Sequence, residues 1–358
     1  TEQAHALDSD AGRRAATGRV LDHSLHTAHA AAVLVNPSRE SLSIAPPEPG
    51  VTSEPLVGHR QALAWFEAEH DVLLAVATLA AETGFDRHAW QLPCAIWDYQ
   101  DNRGHWQQLA ALQRSALDAA TRLGDIGGQA GAHRALAGAY AKLARYDLAH
   151  AHLADSLTLY CKLGDRTGQA RIHLISGWVF TCQERYADAL GQAEQALGLF
   201  QATGYQARAL HLIGRCCAHL GRHRQARESC QRALALLEEL GHRPYEAETW
   251  HSLGYAEHRS GDHAAATACY QRALRMFREL GDRHTQATVL IHLGDAQHAA
   301  GQTGAARSAW QEAVAILDAL HHPDAGKARA RLRHDDPEEA LVRQSATAAR
   351  RGDHPAAR

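Results

Sequence analysis

The stretch Trp250-His-Ser-Leu253-Gly254-Tyr255, followed by Gly261, Ala266, Tyr270, Ala273 and the triplet Leu280-Gly281-Asp282, decides the fold. A large residue, then Leu-Gly, then Gly, Ala, an aromatic and Ala at these spacings describes two antiparallel helices joined by a tight turn. Gly254 removes a side chain where the helices cross, and Gly261 turns the chain between them. Ala266 and Ala273 keep the second helix close, while Trp250 and Tyr270 fill the wider gaps. The unit recurs. Gly84, Gly124, Gly164 and Gly204 are each 40 residues apart; Gly241 follows at 37, then Gly281 and His321 at 40 each. The short interval is a three-residue deletion at Gly204-Tyr205-Gln206-Ala207, where neighbouring joints read Gly-Asp-Arg-x-x-Gln-Ala.

A period of this length with these residues matches the tetratricopeptide (TPR) pattern. It predicts an all-α, right-handed superhelix, an alpha-alpha solenoid of about six 40-residue helix-turn-helix repeats over 84–320. The expected helix pairs are 87–102 with 105–122, 127–143 with 146–162, and 167–183 with 186–202. Three more follow: 205–220 with 223–240, 244–260 with 263–279, and 284–300 with 303–319. The close-packing Gly is absent from the first two repeats, which carry Trp97 and Ala137 there. Gly in the left-handed conformation ends each second helix, and Asp125, Asp165 and Asp282 start the next turn.

Outside the array, residues 1–35 hold one amphipathic helix from Gly12, with Leu21, Leu25, Ala28 and Leu34 on its apolar face. Residues 36–56 form a Pro-rich linker around Pro46, Pro47 and Pro49, too extended to be helical and therefore a domain boundary. Residues 57–83 make a helical cover for the array, bent near Glu69-His70. A capping helix over 321–334 points Ala328 and Leu332 inward and Lys327, Arg329, Arg331 and Arg333 outward. Residues 335–358 are charged and Ala-rich, a disordered tail.

Net charge is −3, so no basic field advertises nucleic acid. No apolar run is long enough to span a membrane, and the polar first residues form no signal peptide. The chain does not begin with Met, as expected of a piece of a longer protein. The seven cysteines lack paired spacing and fit reduced thiols in the cytoplasm. The 26 histidines follow an Ala/Arg/Gly-rich composition and show no metal-ligand spacing. Phosphate loops, dinucleotide fingerprints and nucleophile elbows are absent, so neither an enzyme nor a cofactor is expected.

Function should lie on the concave surface lined by the first helices. Counting from each close-packing Gly gives Arg134, Arg171, Trp178, Arg208, His211, Arg215, His251, Tyr255, His258, Asp295 and His298 as groove residues. Arginine forks hold carboxylates bidentately and rings stack, so the groove suits an acidic peptide, a carboxylate terminus or a small anionic ligand.

The joints, together with Leu253-Gly254-Tyr255 and Cys269-Tyr270-Gln271-Arg272-Ala273-Leu274, resemble the C-terminal TPR region of AfsR/SARP-type regulators. Leu21-Asp22-His23-Ser24-Leu25-His26-Thr27-Ala28 is similar to the helix leaving the winged-helix part of their NB-ARC (STAND) ATPase module. Pro55-Leu56 and Ala62-Leu63-Ala64-Trp65-Phe66-Glu67-Ala68-Glu69 match the lead-in to their repeats, so the resemblance runs from about Arg19 to Leu332. It implies a signal-sensing, protein-interaction region that controls upstream DNA-binding and ATPase domains governing antibiotic genes. The motifs of those domains are absent here. The alternative is a stand-alone TPR adaptor or peptide-pheromone receptor.

Overall fold

The computed structural model describes residues 9–36, 39, 42–200 and 203–334; the expected tail at 335–358 lies outside them. The described residues form helices and no strand, in sixteen helices that repeat as antiparallel pairs. None is long and apolar enough to cross a membrane. The chain divides into two compact units, residues 1–179 and 180–358.

In the first unit, α1 (Asp10–Val35) starts where the Ser9 hydroxyl accepts the Gly12 N–H at 3.1 Å, satisfying one orphan donor of the first turn. α2 (Gly58–Glu82) runs unbroken through Glu69-His70, where a bend was expected; no Gly or Pro interrupts its interior. The described part of the Pro-rich linker lies along these helices. Its Glu48 N–H donates to Asp22 Oδ2 at 2.7 Å, its Glu54 N–H to Thr27 Oγ1 at 3.1 Å, and its Ser43 carbonyl accepts from Gln91 Nε2 at 2.9 Å.

The first repeat departs from its expected single helix over 87–102. Pro93 lies inside α3 (Asp86–Ala95), and the chain breaks at Ile96 before α4 (Trp97–Arg103). Proline withholds the N–H owed to the Ala89 carbonyl and crowds it, which weakens the helix there. Next come α5 (Trp106–Leu123), α6 (Ile126–Lys142), α7 (Tyr146–Leu163) and α8 (Arg166–Cys182). The joints form as the sequence predicts. Gly124 (φ +66) and Gly164 (φ +65) close helices in the left-handed region, and Asp125 and Asp165 accept the N–H groups of Gly128 (2.8 Å) and Gly168 (2.9 Å).

The second unit contains α9 (Tyr186–Leu199), α10 (Thr203–His219), α11 (His223–Glu239), α12 (Arg243–Ser260), α13 (His263–Leu280), α14 (Arg283–Ala299), α15 (Thr303–Ala319) and α16 (Ala325–His334). At the three-residue deletion Gly204 does not end a helix but sits in the first turn of α10. α9 ends early, in extended backbone at Phe200, whose ring stacks on Tyr205 at 4.6 Å. A stacked ring pair stands where the joints at Gly124, Gly164 and Gly281 use Gly and Asp.

The crossings are as tight as the glycines require. A Cβ on Gly214 would meet Cys230 Sγ at 2.4 Å, on Gly254 the Tyr270 ring at 2.8 Å, and on Gly294 the Trp310 indole at 2.4 Å. Each partner lies sixteen residues on, and each is buried.

Candidate functional site

Within the second unit the first helices of successive repeats, α10, α12 and α14, touch one another directly as well as their own second helices. Their shared face gathers most of the second unit's candidate residues. Arg208 lays its guanidinium over the rings of Tyr245 (4.8 Å) and Tyr205 (5.7 Å). His211 is buried; its Nδ1 lies 3.0 Å from Thr249 Oγ1 and its Nε2 3.4 Å from Glu248 Oε2. Burial pushes the Glu248 carboxyl up, but the His211 hydrogen bond and the charges of His211, Arg215 and Arg208 outweigh it and hold the group below its ordinary value. Glu248 is still 48 % exposed, so this carboxylate stands open to solvent on the face.

Beyond Arg215 runs a ladder of rings. Tyr186 stacks on His219 at 4.0 Å, and His219 on Tyr255 at 4.5 Å. His251 stacks on His292 at 5.0 Å with its Nε2 2.8 Å from His292 Nδ1, and Tyr270 leans on both. Burial pushes His219 and His292 down to about 4 and drives His251 well below its usual value; Arg215 adds to the effect on His219 and His251. At neutral pH these imidazoles are uncharged. They present flat faces and neutral hydrogen-bonding edges, and the arginines supply the positive charge.

The structure therefore gathers Arg208, His211, Arg215, His251 and Tyr255 on one face. His258 lies against the His263 ring at 5.1 Å, and burial lowers its pKa. Exposed His298 lies against Trp310 at 5.7 Å. Asp295 is engaged already: Arg331 of the capping helix, expected to point outward, grips it through Nε–Oδ1 (2.6 Å) and Nη2–Oδ2 (2.8 Å). Trp310 Nε1 donates to the same carboxylate at 3.1 Å. An acid one helix away captured the arginine that solvent was expected to take. Arg134, Arg171 and Trp178 belong to the first unit, half-buried on α6 and α8, with Lys142 Nζ 5.4 Å from the Trp178 ring.

Sequence reasoning passed over Tyr186, His219, Tyr245 and His292 and left Glu248 out of the candidates. The period held a signal for one of them. Tyr205 and Tyr245 are 40 apart, as are His211 and His251. His292 escaped because the equivalent position is Ile291, which turns into the core.

The tetratricopeptide-repeat family profile matches residues 205–279 and again 245–319. The chain carries a tetratricopeptide-repeat solenoid. Such a TPR array is a protein-interaction scaffold rather than an enzyme fold. The C-terminal part is 28 % identical over 194 residues to "Regulatory protein AfsR" of Streptomyces griseus, covering 54 % of this chain. The match spans about a fifth (20 %) of that relative's length. Among solved structures, the fold is similar to a Rap protein complexed with competence and sporulation factor, with TM-score 0.52, 16 % identity, and coverage of 72 % of this chain and 77 % of that one. It is also similar to a STAND protein with a tetratricopeptide repeat sensor from Pyrococcus horikoshii, with TM-score 0.51, 14 % identity, and coverage of 79 % and 50 %.

Proposed function

We propose that this chain is the signal-sensing, partner-binding region of a multidomain transcriptional regulator of secondary metabolism, acting in the cytoplasm. An acidic peptide or protein segment lies on the shared face of α10, α12 and α14 and thereby controls domains upstream. The observation that carries this reading is the juxtaposition of Arg208 and Arg215 with a wall of neutral rings from Tyr245 to His292. The guanidiniums hold carboxylates while the rings take the apolar remainder of the peptide. Glu248 adds selectivity: a carboxylate beside the arginines repels a ligand whose negative charge falls in the wrong register. In the first unit, taken by itself, Arg134 and Arg171 offer positive charge and Trp178 a ring to an anionic partner. The similarity to the Streptomyces regulator supports the regulatory setting.

A second reading, a stand-alone peptide receptor, is favoured by the fold similarity to the Rap–peptide complex. The open reading frame upstream of Thr1 separates the two: a DNA-binding or ATPase domain there removes the second. The binding claim is tested with fluorescent acidic peptides ending in a free carboxylate. The Arg208→Ala/Arg215→Ala double variant should bind them at least about tenfold more weakly, as loss of charge-assisted hydrogen bonds requires, with unchanged helical circular dichroism. Equal affinity in wild type and variant would remove the groove from consideration.

A further inference from the structure

We propose that His133, His152 and Asp155 form a binding site for a divalent transition-metal ion of the zinc class, bridging the two helices of the second repeat. His133 projects from α6 toward α7. His152 and Asp155, three residues apart on α7, share the face that meets it. His133 Nδ1 lies 2.9 Å from His152 Nδ1 and 3.6 Å from Asp155 Oδ2, and the three ligand atoms lie within 4.8 Å of one another. Four ligands about 2.0 Å from a tetrahedral zinc ion are about 3.3 Å apart, and the two shorter separations bracket that distance. Two imidazoles and one carboxylate leave the fourth position for water or a ligand atom, the arrangement of an open rather than a closed zinc site.

The surroundings suit a metal. The His152 ring is held in place by stacking on Tyr140 at 5.4 Å and 12°. The His133 side chain is 15 % exposed and that of Asp155 62 %, so the site has a wall on one side and an entry path on the other. Burial lowers the pKa of both imidazoles, His133 adds to the effect on His152, and the Asp155 carboxylate beside them opposes it on each ring. Imidazole donors at tetrahedral spacing favour zinc over magnesium or calcium, which take oxygen ligands.

A superficially similar trio, His284, His322 and Asp324, lacks this readiness. Lys327 already holds Asp324 at 2.7 Å, and the Asp324 N–H donates to His322 Nδ1 at 3.2 Å, so a metal would have to displace both.

Titration of the full chain with Co(II), followed by competition with Zn(II), tests the assignment through the visible d–d bands. Wild type should take up one equivalent of Co(II) with the intense spectrum of tetrahedral coordination, and Zn(II) should bleach it. His133→Gln/His152→Gln should abolish the spectrum with helical circular dichroism retained, and His322→Gln should leave it unchanged. Asp155→Asn decides the matter should the double variant fail to fold, because that exposed side chain carries little packing. It should weaken Co(II) binding by more than the roughly 10–100-fold that follows loss of an outer-shell partner. A spectrum of the octahedral type, or equal uptake by wild type and Asp155→Asn, would overturn the proposal.

Discussion

In repeat five the helix pair crosses over Gly254, and Tyr270, sixteen residues on, fills the space opened by the missing side chain. In repeat one the same two positions are Trp97 and Gln113. The sizes are reversed, and so is the direction of packing. Trp97 cannot turn into its own crossing; its indole lies instead against the next repeat, where a Cβ on Gly138 would meet it at 3.1 Å. Gly138 serves as the seat of a tryptophan. Gln113 is buried, and neither its amide nitrogen nor its oxygen finds a partner. The joints on either side of the α6–α7 pair, at Gly124-Asp125 and Gly164-Asp165, are nonetheless built alike. The period belongs to the backbone caps, and the interior between two caps can be filled in more than one way.

Gly254→Leu is the sharpest attack on that contrast. A branched side chain forced against Tyr270 should destabilise the second unit by about 3 kcal/mol or more, read as a lowered urea midpoint. Gly138→Ala asks its neighbour to yield only a few tenths of an ångström and should cost far less. Equal losses would mean that the two crossings are equally tolerant and that the contrast is wrong.

Acid separates the regions next. His292 stays neutral in the fold down to about pH 4, whereas in the unfolded chain it takes up a proton near pH 6.5. The unfolded state binds more protons in that window, so stability falls as pH drops from about 6.5 to 4 and levels off below. For His292 the loss is on the order of 3 kcal/mol. His292→Gln should flatten the pH dependence of the urea midpoint; an unchanged slope would show that the ring ladder is not the source.

The smallest effect has the opposite sign. Gln113→Leu replaces an unpartnered buried amide with an apolar group of similar volume and should raise the melting temperature by the equivalent of about 1 kcal/mol. A lower melting temperature would mean that this amide is satisfied in solution.

Those contrasts explain what could be read in advance. Gly124, Asp125, Gly164 and Asp165 act through their own backbone and the next turn, so their roles are visible locally. Pro93 was also visible, yet its effect, a break at Ile96, depends on how the weakened turn is supported. The ring ladder is another matter. Whether position 291 or 292 faces the groove turns on the packing of Ile291, and Asp295 is claimed by an arginine 36 residues away. His133 and His152 are nineteen apart on different helices and share no spacing rule; they meet only because the helix pair closes.

The Gly-Asp joints carry one more consequence, for how such a gene can change. Gly124-Asp125 and Gly164-Asp165 present the same left-handed turn and the same acceptor to an N–H three residues on. An in-frame excision running from Ile126 through Asp165 would leave Asp125 directly before Arg166-Thr167-Gly168, a joint indistinguishable from either parent. Whole repeats could thus be lost or duplicated at these seams without local repair, altering ligand reach in steps of one module. The seam at Phe200–Tyr205, fastened by two rings particular to it, offers no such exchange, and lineages should keep it fixed while the number of repeats drifts around it.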